Sequence, residues 1–129
     1  MNGARWVQQT LLAPNENARL RVYAVWFNMF PGDARDHWRR DLLTDARVVH
    51  YWDEQQSVGR LYFQALPRIW ERRAPDTITP QDLALWDAYL LYARDAQWND
   101  QPPDVVSWGA TILLTREKLT RDFKEILPR

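Results

Sequence analysis

The segment Leu20–Met29 constrains the fold more than any other part of the sequence, because it is apolar on both of its alternating faces. Alternate residues of a strand point to opposite faces, and the two sets here are Val22, Ala24 and Trp26, and Tyr23, Val25, Phe27 and Met29. This pattern is typical of a strand that is covered on both sides. We therefore predict that it is a central or near-central strand of a sheet.

Helical and extended patterns alternate along the rest of the chain, which indicates an α/β protein. A helix is predicted over residues 3–12, and Asp33 is placed to cap a second helix that runs to about Leu43. The other predicted elements are an extended segment at 47–52, a helix from Ser57 with a kink or early stop at Pro67, a helix start at Thr79-Pro80, strands at 87–92 and 110–114, and a last helix capped by Thr115.

Composition excludes several classes of function. Lys and Arg number 17 and so do Asp and Glu, interspersed along the chain, so the basic patch that nucleic acid or an anionic membrane requires is missing. No long apolar run or secretory signal occurs, which favours a cytoplasmic protein. The length of 129 residues fits a single domain spanning residues 1–129. The sequence contains no cysteine, which excludes disulfides and thiolate chemistry.

The order of elements resembles the later part of the thioredoxin-like superfamily, in its redoxin and thiol-disulfide-reductase branch. The resemblance is carried by the sequences VVHYWDEQQSVGRLYF, WDAYLLYARDAQW and SWGATILLTREKLTRDFKEIL. It covers residues 4–127 and implies a three-layer α/β/α domain, in which helices lie on both faces of a mixed sheet. The Cys-x-x-Cys motif of that family, its cis-proline and its first core strand have no counterpart here, and Trp86-Asp87 stands at the proline position.

The absent strand has a structural consequence. In the family it lies between the strands that correspond here to 22–29 and 88–92, so these two either pair directly or leave a slot for a borrowed strand. An unpaired apolar strand edge promotes association. We therefore predict a homo-oligomer, most simply a symmetric dimer.

A candidate ligand or interface pocket is predicted where the strands end, because open α/β sheets bind ligands there. Its residues are Trp26, Asp33, His37, Trp52, Asp53, Trp86 and Asp87. Asp33 and His37 are four residues apart on one face of the predicted helix, a spacing that suits a metal site or an acid–base pair. The favoured interpretation, however, is that Asp33 caps the helix and that His37 is a solvated helix residue. Asp53 is expected to stabilise the turn before a helix, and His50 to be half-buried with an ordinary hydrogen bond.

Eight tryptophans are far more than a chain of this length ordinarily carries, and large rings favour an apolar contact surface. The leading interpretation is a thioredoxin-like domain without redox activity that binds or self-associates and needs no cofactor. One alternative is the C-terminal part of a thiol-disulfide oxidoreductase whose Cys-x-x-Cys segment lies outside this chain. The other is a small-ligand or metal site near Asp33, His37 and Asp53.

Overall fold

A short helical segment opens the chain and is followed by two parallel strands. In the computed structural model, which describes residues 2–27, 36, 38–73, 85 and 87–127, helix α1 spans Asn2–Trp6. It continues as a π-helical turn at Val7–Leu12 and a 3-10 turn at Ala13–Asn15. The predicted helix at 3–12 is therefore confirmed, and it extends a few residues further because proline is tolerated in the first turn of a helical segment.

Strand β1 spans Val22–Trp26 and strand β2 spans Val48–Trp52. They pair in parallel, with Val22 opposite Val48 and Trp26 opposite Trp52. The prediction of an extended segment at 47–52 is confirmed, as is a strand within 20–29.

One face of this sheet packs on the helical segment. Leu12, Leu43 and Val48 are its buried core. The partly buried side chains that pack against this core are Ala4, Val7, Leu20, Val22, Ala24 and Trp26.

The prediction that β1 is covered on both faces is wrong. Tyr23 on its other face is 57% exposed, and Val49 and Tyr51 on β2 are exposed beside it. Although the residues of this face are apolar, the described part of residues 1–58 leaves Tyr23, Val49 and Tyr51 exposed.

The prediction of a helix at 33–43 is also wrong for residues 38–43, which the structure describes. Residues 38 and 39 have no regular structure, and a single 3-10 turn follows at Arg40–Leu42. The aromatic contacts of Trp38 with β2 and the burial of Leu42 and Leu43 hold this segment irregular. The cap predicted at Asp33 lies outside the described residues.

Helix α2 spans Ser57–Arg73. Of the two outcomes predicted at Pro67, an early stop is therefore wrong, and a kink stays a prediction. Proline removes one backbone hydrogen bond but holds φ near the helical value, and the helix continues past it. The predicted helix start at Thr79-Pro80 falls outside the described residues.

The later part of the chain contains an antiparallel pair of strands and the last helix. Strand β3 spans Ala88–Leu91 and strand β4 spans Ser107–Ala110, with Ala88 opposite Ala110. The prediction for β3 is confirmed. The strand predicted at 110–114 instead ends at its first residue, and all four residues of β4 are buried.

Helix α3 spans Arg116–Ile126, which confirms the predicted last helix. The apolar spacing predicts a buried stripe of Leu119, Phe123, Ile126 and Leu127; the first two are buried, and the last two are partly buried. The Thr115 hydroxyl does not cap it. That hydroxyl donates to the Thr111 carbonyl at 2.7 Å, and the Thr115 carbonyl accepts the Leu119 N–H.

The chain therefore mixes helices with parallel and antiparallel strands, which agrees with an α/β class. The described strands form two sheets of two strands each, so direct pairing of 22–29 with 88–92 is not found among them. Residues 1–58 with 127–129 and residues 59–126 form two compact units.

Arg47 joins β2 to the opening helical segment. Its guanidinium donates to the carbonyls of Leu12, Asn15 and Ala18 at 2.8–2.9 Å and to both carboxylate oxygens of Asp45. One partly buried cation therefore binds three carbonyls at and just after the end of the helical segment, where carbonyls lack helical partners.

Candidate functional site

An aromatic cluster lies at the carboxyl end of the β1–β2 sheet. Trp26 and Trp52 are register partners there. The ring of Trp38 stands at 90° to that of Trp52, with centroids 5.9 Å apart, and contacts the ring of His50 edge-on at 6.4 Å. The structure thus brings Trp26 and Trp52, two of the predicted pocket residues, to one end of a parallel sheet, where α/β proteins bind ligands.

Both ring nitrogens of His50 are occupied. Nδ1 lies 3.0 Å from Trp26 Nε1, which is always a donor, and Nε2 lies 3.1 Å from the Leu43 carbonyl oxygen. Nδ1 must therefore accept and Nε2 must carry the proton, which makes His50 a neutral imidazole in this arrangement. This confirms the prediction of a half-buried histidine with ordinary hydrogen bonds.

Asp53 follows β2 directly and caps helix α2. Its carboxylate oxygens accept the backbone N–H groups of Ser57 at 2.9 Å and Val58 at 2.7 Å. Its own N–H donates to the Trp26 carbonyl oxygen. The predicted role in stabilising the turn is confirmed, and Asp53 rather than Ser57 supplies the capping side chain.

Two polar features border the aromatic cluster. The Arg40 guanidinium lies 4.7 Å from the ring centroid of Trp38, a cation–π contact. The Trp52 indole N–H is buried and has no hydrogen-bond partner in the described part of the chain. The cluster therefore offers apolar walls, one exposed cation and one unsatisfied donor.

The other predicted pocket residues are not placed in this cluster. Asp87 belongs to the unit formed by residues 59–126. It has a positive φ of 47°, which Asp tolerates better than most residues, and burial raises the pKa of its carboxyl group. Asp33, His37 and Trp86 lie outside the described residues.

The outward face of the β1–β2 sheet consists of uncharged side chains and is largely exposed. We call it the outer face; Tyr23, Val49 and Tyr51 on it are exposed, and Val25 is partly buried. The exposed Arg21 side chain borders it and is hydrogen-bonded to Tyr23. Tyr51 is 51% exposed, and its ring stacks on that of Tyr23 with centroids 6.3 Å apart. Sequence reasoning missed this surface because the same apolar pattern also describes a strand buried on both sides.

A second cluster missed by sequence reasoning lies between β3, β4 and α3. Ser107 is fully buried, and its Oγ is 3.1 Å from the Tyr89 hydroxyl and 3.3 Å from Lys118 Nζ. Burial raises the pKa of nearby Asp122, but hydrogen bonds from Ser107 and Arg121 outweigh burial and leave that pKa below its ordinary value. Because Ser107 has no solvent access, this network fixes the packing of α3 on the strands rather than presenting a nucleophile.

No three His, Asp or Glu side chains among the described residues come together as a metal site. In that same part of the chain, no helix is both long and apolar enough to cross a membrane. Comparisons of the chain with models of protein families, with curated proteins and with solved structures find no match.

Proposed function

We propose that this chain is a redox-inactive, thioredoxin-like binding domain that associates with a second copy of itself through the outer face. The observation that carries the proposal is the exposure of two stacked tyrosines, Tyr23 and Tyr51, at the centre of a sheet face whose own side chains carry no charge. Exposed apolar patches of this kind mark contact surfaces more often than the rest of a protein surface does.

The uncharged side chains of the outer face favour a second copy of this chain as its binding partner. In a symmetric dimer the same patch meets itself, so any charge at its centre would meet an equal charge. None of Tyr23, Val25, Val49 and Tyr51 carries a formal charge at neutral pH. Tyrosine is also enriched at the energetic centre of interfaces, because its ring buries a large area at little cost in side-chain entropy.

The order of the described elements supports the thioredoxin-like part of the proposal. A parallel pair of strands, a helix, an antiparallel pair and a terminal helix follow one another as in the later part of that fold. The three-layer arrangement of that superfamily, in which helices cover both faces of one mixed sheet, is not part of the proposal, because Tyr23 and Tyr51 are exposed on the outer face. The lack of cysteine supports redox inactivity, so an insulin-reduction assay on this chain is expected to show no activity.

Sedimentation velocity at micromolar concentrations tests the proposed association. The wild-type chain is expected to sediment as a dimer and Tyr51→Glu as a monomer, because the substitution places two like charges in the contact. Leu114→Glu is the matched control: Leu114 is 77% exposed and lies outside the outer face, so this variant is expected to remain dimeric. A monomeric wild-type chain, or a Tyr51→Glu variant that stays dimeric with unchanged circular dichroism, would refute the proposal.

The two alternative interpretations stay predictions with their own tests. An open reading frame that continues upstream into a strand and a Cys-x-x-Cys motif would favour a fragment of an oxidoreductase. For a small-ligand or metal site, Asp33→Ala and His37→Ala are expected to lower the metal content or ligand affinity. Unchanged values in both variants exclude that site.

A further inference from the structure

The charged residues that border the outer face have opposite signs at its two ends. At the amino end of β1, Arg21 is exposed and is hydrogen-bonded to Tyr23, which places its guanidinium beside this face. At the carboxyl end, Asp53 and Glu54 directly follow β2. The Asp53 carboxylate caps α2, whereas Glu54 is exposed. In the described part of the two strands and their flanks, an exposed cation therefore lies at one end and an exposed carboxylate at the other.

The remaining charges at the amino end keep its net charge positive. Asp45 and Arg47 lie just before β2, and their side chains form an ion pair at 2.7 Å, so their charges cancel. Arg19 lies two residues before Arg21, is exposed as well, and adds a second positive charge.

A symmetric dimer can bring two outer faces together in two ways. The two-fold axis has to lie in the plane of contact, because an axis perpendicular to that plane leaves both faces pointing in the same direction. Packed sheets keep their strands within about 30° of each other, so the axis runs either along the strands or across them. An axis along the strands places the two amino ends over each other, whereas an axis across the strands places each amino end over a carboxyl end.

The apolar residues of the outer face fit both arrangements. In the strand register Tyr23 is opposite Val49 and Val25 is opposite Tyr51, so each level of the face carries one large and one small side chain. With the axis through the centre of these four residues, either rotation places each tyrosine over a valine of the second copy. Such pairs of large and small side chains favour close packing, but they do not distinguish the two axes.

The charges do distinguish them. Arg21 lies three residues before the central level of the face, which Ala24 and His50 form, and Asp53 lies three residues after it. With the axis along the strands, Arg21 is level with Arg21 of the second copy, and the two guanidinium groups repel each other. With the axis across the strands, Arg21 is level with Asp53 of the second copy, next to the exposed Glu54.

We propose that the two copies associate about a two-fold axis across the strands, with Arg21 of each copy paired with Glu54 of the other. This inference rests on the proposed association through the outer face, and it adds the orientation of the dimer and the residue pair that selects it. Arg21 is then a specificity-determining residue, because its charge favours one arrangement and opposes the other.

Charge reversal tests the pair, with dissociation constants measured by sedimentation equilibrium. Arg21→Glu and Glu54→Arg are each expected to weaken the dimer about 3- to 30-fold, because a symmetric dimer contains the pair twice and each reversal turns attraction into repulsion. The double variant is expected to regain the wild-type affinity, and about 1 M salt is expected to remove most of the differences. Glu117→Arg, which reverses an exposed charge on α3, is the control and is expected to leave the affinity unchanged.

Mixing wild-type and Arg21→Glu chains distinguishes the two axes. With the axis across the strands, a mixed dimer contains one attractive and one repulsive pair, so native mass spectrometry is expected to find no preference for mixed dimers. A clear preference for them, or a folded double variant that stays as weak as the single variants, would overturn the orientation and leave the association intact. A wild-type chain that sediments as a monomer would overturn the association itself and this inference with it.

Discussion

Replacing Arg47 with methionine is expected to destabilise the fold more than any single exposed substitution. The guanidinium makes three hydrogen bonds to backbone carbonyls and pairs with both oxygens of Asp45. The side chains of the pair are 17% and 13% exposed, so water can replace little of what the substitution removes. Methionine keeps an apolar stem of similar reach, so the change isolates the charge and its donors.

The magnitude follows from these contacts. A hydrogen bond to a charged group contributes about 1.5–3 kcal/mol, and removing one partner of a buried ion pair costs about 3–5 kcal/mol. Because the Arg47 bonds share one side chain and are not additive, and because this pair is only partly buried, the estimate is about 2–4 kcal/mol. That is a large part of the roughly 5–15 kcal/mol by which a domain is ordinarily stable.

Urea unfolding followed by circular dichroism measures the effect of Arg47→Met. Arg47→Lys is the companion variant: it keeps the charge but has three donors instead of five, and an intermediate loss of about 1–3 kcal/mol is expected. A double-mutant cycle with Asp45→Asn isolates the ion pair from the carbonyl bonds. A loss below about 1 kcal/mol for Arg47→Met, as for an exposed ion pair, would refute this reasoning.

The same pair makes stability depend on acid pH. The side-chain and backbone hydrogen bonds from Arg47 lower the pKa of Asp45 from 3.8 to about 2. Because the folded pKa is the lower one, this contribution, about 2 kcal/mol, is complete above the unfolded value and is lost as pH falls through about 2. The acid loss is expected to shrink in Arg47→Met, and unfolding midpoints at about pH 5 and about pH 2 measure it.

Two further substitutions test local features. Asp53→Ala removes the cap of α2, and thermal unfolding is expected to show a loss of about 0.5–2 kcal/mol in the free energy of unfolding. Asp53→Asn is expected to keep most of the wild-type stability, because an asparagine side chain also accepts the backbone N–H groups. Equal stability of the alanine variant and the wild type would contradict the cap. Gly109→Ala places a methyl carbon 2.8 Å from Thr115 Oγ1 and from a ring carbon of Tyr89, and is expected to cost about 1–3 kcal/mol in urea unfolding; an unchanged midpoint would show that this close packing relaxes freely.

Local patterns predicted much of the secondary structure. Strand β2 and helix α3 appear where their periodicity places them, and Leu119 and Phe123 are buried on one face of that helix. The role of Asp53 was also predictable, because an aspartate shortly before a helix satisfies backbone N–H groups only a few residues away. Such interactions depend on neighbours in sequence, which the sequence displays directly.

Long-range contacts explain the failures. The prediction of a helix at 33–43 depends on Asp33 as a cap, but the described part of this segment follows the contacts of Trp38 with His50 and Trp52 instead. A helical pattern is a weak preference, and side-chain packing against a sheet overrides it. The outer face was missed for a related reason. The sequence of an apolar strand does not show whether a second layer covers its face.

By itself, the sequence determined the local elements, the absence of thiol chemistry and the balanced charge, since each depends on residue type or on short spacings. Only the tertiary structure decided which tyrosines are exposed, which carbonyls Arg47 binds across about thirty residues of chain, and that the rings of Tyr23 and Tyr51 stack. The physical reason is that the burial of a side chain, and its contacts with other side chains, depend on segments that are distant in sequence. Their partners are chosen by the free energy of the whole packing rather than by any local pattern.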